Sequence, residues 1–236
     1  MRRAVEVAIL AICLSIAGAA PAWAQLGRRP APPPGEPYPQ RGSIEAGGGG
    51  VWVQGFDLPP RRAQLSRSTG ADPFDLFSTE SRLDTAAGGY ARLGVYLTRA
   101  VSVEGGVRYT KPTLGVRLSG DAESADGEEA TGPVGQYVFE GAVLLHLTRA
   151  SFAGGRGLPF ISAGGGHIRE LYDGNELVET GRQFHVSGGI KYWSGRTRRS
   201  AGLRAEVGLA SRERGVGGVD DRRTVAFAVA GVAFTF

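Results

Sequence analysis

The chain has one cysteine among its 236 residues, Cys13, which lies inside the N-terminal apolar run and follows Ile12. A mature form without that run has no disulfide and no thiol nucleophile, and it can cross an oxidising compartment unfolded without forming wrong disulfides. Beyond the first 24 residues no stretch approaches the ~20 apolar residues of a spanning helix. The formal charge is only +4, and Arg2, Arg3 and Glu6 lie in the leader, leaving +3. These charges are dispersed and form no basic stripe with interleaved aromatics, so nucleic acid is not an expected partner. Also missing are a Walker loop, zinc-ligand spacing and a dinucleotide fingerprint. The glycine runs 47–50 and 164–166 precede no helix pattern and read as strand glycines. No cofactor and no metal is expected.

Present instead are 38 glycines and 42% hydrophobic residues, a composition suited to β-structure. Residues 1–24 have the charged, apolar and small-residue parts of a secretory signal, ending at Ala22-Trp23-Ala24. Residues 25–41 are Pro-rich and read as an extended periplasmic tether. Residues 42–236 form one domain.

That domain alternates. Strands are predicted over 43–54, 83–98, 101–110, 136–147, 159–171, 182–193, 202–209 and 224–236, most of them apolar on one face and polar on the other. The fifth is less clean, because Phe160 and Ile168 share one parity and Ile161 shares the other with His167 and Arg169. The last mixes Phe227 and Val229 with Gly231 and Thr235 on its second face. Arg99-Ala100 alone separates the second from the third, which demands a tight hairpin. The segment 55–82 is polar, contains Pro59-Pro60 and has no alternating pattern. It reads as a long loop, as do 111–135, 172–181 and 212–223. The intervening connections are mostly shorter, so the long loops fall at one end of an eight-stranded antiparallel up-and-down barrel.

Alternation alone fits a membrane barrel and a soluble lipocalin-like barrel equally, with the faces exchanged. The leader, the loop asymmetry and the strand-end aromatics favour the membrane. Phe160, Tyr192, Trp193, Phe234 and Phe236 would form a periplasmic girdle, and Trp52, Tyr109, Tyr137, Phe184 and Phe227 an outer one. Apolar faces toward lipid leave Glu45, Arg92, Glu104, Arg108, Glu140, His146, His185, Lys191, Arg204 and Glu206 inside. An eight-stranded barrel is wide enough only for side chains, so these should neutralise one another as a polar plug.

The last stretch, 224–236, is uncharged and ends on Phe236 with Ala226, Ala228, Ala230, Val232 and Phe234 on its face. This ending resembles the C-terminal signal of bacterial outer-membrane barrels. With the leader, strands and loops, the chain resembles the small OmpA/OmpX-type barrel family in its architecture. The resemblance implies a bacterial outer-membrane location, a non-enzymatic structural or surface-interaction role through the outer loops, and a monomer. Its partners would be outer-membrane lipid, lipopolysaccharide and, through the strand ending in Phe236, the barrel-assembly machinery.

Two other activities compete: a narrow pore, and a lipid A deacylase-like hydrolase. His185-Val186-Ser187 has the His-x-Ser spacing of the barrel deacylases, with Glu206 able to stand opposite Ser187 in a hairpin. Gly188 departs from the Asn of that family, and Lys191 shares the His185 face, which points to the lumen. Arg212, Arg214, Arg222 and Arg223 flank the last loop as candidate phosphate contacts. The acidic stretch from Asp121 to Glu129 lacks the spacing of a calcium loop.

Overall fold

The computed structural model describes residues 39–65, 74–119, 129–172, 177–195, 200–214 and 222–236. The expected signal sequence and almost all of the expected Pro-rich tether lie outside these residues, as do Asp121, Glu123, Asp126 and Glu128. The described chain starts at the buried Pro39, and Gly42 N–H donates to the Tyr96 carbonyl at 2.7 Å.

Twelve strands follow among the described residues. They are β1 (Ile44–Val53), β2 (Phe56–Leu65), β3 (Phe74–Leu83), β4 (Ala86–Tyr96), β5 (Val101–Thr110), β6 (Thr113–Ser119), β7 (Glu129–Pro133), β8 (Gly135–His146), β9 (Gly157–Tyr172), β10 (Leu177–Trp193), β11 (Ser200–Arg214) and β12 (Arg223–Thr235). Eight close a barrel in the order β1-β12-β11-β10-β9-β8-β5-β4. Every neighbouring pair is antiparallel, and closure runs from Glu45 opposite Thr235 to Val53 opposite Phe227.

The pleat sends alternate residues to opposite sides. Ile44, Leu93, Val103, Val143, Ile161, Val186, Val207 and Val232 lie one on each barrel strand, and all are exposed. An apolar belt that encircles the molecule has no place in water and is the lipid-facing band of a transmembrane barrel.

Above the belt the structure departs from the sequence expectation. Segments 55–82 and 111–135 are not plain loops: they contain β2, β3, β6 and β7, a four-stranded sheet in the order β2-β3-β6-β7. Each of these strands continues a barrel strand across a short break at 54–55, 84–85, 111–112 or 134. The wall β1-β4-β5-β8 therefore rises out of the membrane as β2-β3-β6-β7. Its residues are mostly exposed or half-buried, so no apolar alternation is required, and hydropathy has no period to detect. Pro59-Pro60 is tolerated because β2 is an edge strand with a register shift between Leu58 and Arg61. Leu83, expected to open the second barrel strand, instead ends β3 and is buried.

The expected loops 172–181 and 212–223 are also shorter than read. β9 and β10 remain paired to Tyr172 opposite Leu177, and β11 pairs with β12 to Arg212 opposite Arg223. At the other end, Thr98 Oγ1 accepts from the N–H groups of Ala100 and Val101 at 3.2 and 3.0 Å, closing the 97–100 turn.

Candidate functional site: the filled lumen

Small-barrel geometry makes the inward positions converge on one axis. Near the short-turn end, Glu45 Oε2 accepts from Tyr96 Oη and from Lys191 Nζ, both at 2.8 Å. Lys191 Nζ also donates to Glu104 Oε1 at 2.8 Å. His146 Nε2 lies 2.9 Å from Ser102 Oγ, and its ring stacks on Tyr96 with centroids 5.0 Å apart.

Arg204 holds the centre. Its Nη1 donates to both oxygens of Glu104, at 2.9 and 2.7 Å, while Nε and Nη2 donate to Glu206 Oε2 at 3.0 and 2.7 Å. Arg92 Nη1 bridges the same two carboxylates at 3.3 and 3.2 Å. Toward the outer mouth, Arg108 Nη2 donates to Glu140 Oε2 at 2.6 Å, and Gln136 Nε2 to Glu170 Oε1 at 2.6 Å. Arg212 reaches Gln136 Oε1 and Gln183 Oε1 at 3.1 and 3.2 Å.

Within this set Arg92, Arg108, Lys191, Arg204 and Arg212 balance Glu45, Glu104, Glu140, Glu170 and Glu206 one for one. That balance keeps ions in a low-dielectric interior, where an unpaired charge would cost several kcal/mol. Arg92, Arg108, His185 and Glu140 line a polar cavity of about 20 Å³, room for a single water molecule.

Aromatic rings fill what the ion pairs leave. Phe160, Trp193 and Phe227, expected in the lipid girdles, are buried inside. Arg204 Cζ lies 4.5 Å from the Phe160 ring and Arg108 Cζ 4.7 Å from Phe227, so the same guanidiniums that pair with carboxylates also rest on π-faces. Tyr109, Phe184, Phe234 and Phe236 are exposed on the exterior, and Tyr109 and Tyr137 pack ring to ring at 4.8 Å.

The nucleophile constellation is only partly assembled. Ser187 Oγ donates to Glu206 Oε1 at 2.6 Å and lies 2.5 Å from Ser162 Oγ. The register sets Gly208, not Glu206, opposite Ser187, and the contact runs diagonally. His185 turns away: its Nδ1 is 3.6 Å from Glu140 and its ring meets the edge of Phe227. No His185–Ser187 hydrogen bond occurs among the described residues. A general base must reach the hydroxyl whose proton it removes; His185 does not, and the serine proton is directed to the Glu206 carboxylate, itself held by Arg204 and Arg92.

Of the arginines around the last loop, Arg212 points into the lumen and Arg223 lies over Phe56. Arg222 pairs with Glu213, and Arg214 ends β11. Glu129, the last residue of the acidic stretch, is exposed on β7. Sequence reasoning missed Glu170, Arg212 and Ser162 as luminal groups. Ser162 and Glu170 lie within the predicted strand 159–171 and share the parity of Phe160, which the sequence reading assigns to the lipid girdle. Arg212 shares the parity of Arg204 but lies beyond the predicted end of that strand.

No protein-family model matches the chain, and no curated protein is similar to it in sequence. Among solved structures the outer membrane protein OprG from Pseudomonas aeruginosa aligns with a TM-score of 0.50 at 11% identity, over 84% of this chain and 97% of that one. Neisserial surface protein A aligns with a TM-score of 0.46 at 16% identity, over 82% and 96% of the two chains. Ail, the attachment invasion locus protein of Yersinia pestis, aligns with a TM-score of 0.40 at 11% identity, over 84% and 100%. The likeness to OprG is one of fold. With its apolar exterior and ion-paired interior, the chain is a membrane-spanning β-barrel of the outer-membrane type.

Proposed function

We propose that the protein is a non-enzymatic outer-membrane barrel whose role lies in the surface that it holds above the lipid. The observation that carries this reading is the division of the chain. The membrane part is packed shut by paired charges, and the wall β1-β4-β5-β8 is extended beyond the belt as a four-stranded sheet. The cavity beside Arg92, Arg108 and Glu140 has room for about one water, which supports a plugged lumen over a wide channel.

The scarcity of cysteine supplies the test. Glu80 on β3 and Arg149 in the turn before β9 are exposed at opposite ends. In intact cells Glu80→Cys should react with a membrane-impermeant maleimide, whereas Arg149→Cys should react only after permeabilisation. The reverse pattern overturns the reading. Steady unit conductance in planar bilayers would instead favour the pore, and acyl chains released from lipid A would favour the hydrolase.

A further inference from the structure

The outer border of the apolar belt is not uniform around the barrel. On β1, β12 and β11 the first polar exterior residues are Gln54, Thr224 and Ser211, none charged. On β10 the exterior series Tyr192, Ile190, Gly188, Val186, Phe184 ends at Arg182. On β9 the series Ile161, Ala163, Gly165 ends at His167 and Arg169. The register sets His167 directly opposite Arg182, with Phe139 on its other flank, and Tyr137 beside Arg169.

His167, Arg169 and Arg182 are all exposed. Neither arginine makes an ion pair among the described residues. Glu213 faces Arg182 across β10 and β11 but is engaged by Arg222.

Height fixes what such a cluster would meet. The roughly 33 Å of strand between Tyr192 and Arg182, tilted about 40°, rises about 25 Å, the height of an outer-membrane apolar band. Arg182 and Arg169 therefore stand at the outer headgroup level, above Phe139 and Phe184, which are among the most exposed aromatics on the barrel. At that level the anionic groups are lipid phosphates, and a guanidinium is the side chain that grips phosphate with two parallel hydrogen bonds. Directly paired residues have Cβ atoms about 5 Å apart and diagonal neighbours about 7–8 Å apart, so both forks can reach one phosphate.

We propose that the β8–β9–β10 exterior is a binding site for the phosphorylated glycolipid of the outer leaflet, lipopolysaccharide. Arg169 and Arg182 clamp a lipid A phosphate, and Phe139 and Phe184 support the acyl chains below. The site rests on the outer-membrane reading above and adds to it a lipid class and an address.

The test uses the full barrel, purified in mild detergent and titrated with lipid A or with enzymatically dephosphorylated lipid A under native mass spectrometry. The wild type should prefer the phosphorylated form about tenfold or more. Arg169→Gln with Arg182→Gln should abolish that preference, while the charge-matched pair Arg117→Gln with Arg149→Gln, at exposed sites away from the belt, keeps it. Inorganic phosphate at millimolar concentration should not compete. The inference is overturned by a wild type that does not distinguish the two lipids, by a double variant that still does, by a control pair that loses as much, or by displacement with free phosphate. Insertion of wild type and variants into lipid nanodiscs separates the two readings. A barrel that inserts but shows no preference sinks the phosphate site alone, whereas one that does not insert sinks the membrane reading as well.

Discussion

Arg204 on β11 and Glu104 on β5 stand on diametrically opposite strands of the eight-membered ring, with Nη1 2.7 Å from Oε2. One guanidinium thus ties the two walls together across the full width of the lumen. Glu206, two residues along β11, takes its remaining donors.

Replacing Arg204 by Met leaves Glu104 and Glu206 with only Arg92, Lys191 and Ser187 as partners. Removal of one member of a buried ion pair typically costs about 3–5 kcal/mol, and Arg204→Met is expected to fall in that range in urea unfolding of the barrel in phospholipid vesicles. The double change Arg204→Met with Glu104→Gln should cost less than the sum of the two single changes, because one deletion removes the charge that the other strands. A single-variant loss below about 1 kcal/mol would mean that the pair is solvated and structurally unimportant.

Val207 faces out from the middle of β11 and is 54% exposed. In water Val207→Arg would be nearly neutral. Against hydrocarbon it should cost about 2–4 kcal/mol in the same unfolding assay, so the size of the effect reports directly on what wets the exterior.

The Ser187 hydroxyl donates to the ion-paired Glu206, and His185 turns to Glu140 instead of to the serine. Ser187→Ala should therefore lower stability by about 1.5–3 kcal/mol, the range for a hydrogen bond to a charged group. Lipid A recovered from cells expressing the variant should carry the same acyl chains as with the wild type; a difference in acylation, seen by mass spectrometry, would restore the hydrolase reading.

Gly231 on β12 faces Gly49 of β1 in the lumen, and a Cβ there would stand 2.5 Å from Tyr90 Oη. Gly231→Val has to displace Tyr90 and press on the backbone of β1, an overpacking expected to cost about 1–3 kcal/mol. Adding Tyr90→Ala should return part of the loss. If it does not, the strain lies in the backbone contact between β1 and β12.

Legibility in the sequence followed the solvent. Along β8, Phe139, Val143 and Leu145 alternate with Gln136, Glu140 and His146, and the first set is exposed on the outside while the second turns inward. Lipid on one side and ion pairs on the other impose that period. Phe160, Trp193 and Phe227 misled for the complementary reason: a narrow lumen needs volume as well as charge, and an inward aromatic looks in sequence like an interfacial one. The top of β11, carrying Arg212, reads as loop because the exterior residue there is already polar at Glu213. Glu170, by contrast, lies inside the predicted strand 159–171 and escapes notice because His167 and Arg169 share the parity of Ile161 and blur the apolar face.

The sequence by itself determined an eight-strand meander and, on the strands with clean alternation, which residues share a face, since a two-residue period written in apolar side chains survives any arrangement of the strands. Only the tertiary structure decided that Arg204 meets Glu104 and that His185 turns to Glu140 rather than Ser187, because partners across a lumen are set by ring closure and stagger, not by separation along the chain. It alone also revealed the outer sheet β2-β3-β6-β7, whose strands carry no apolar alternation and so leave no hydropathy signature of their pairing.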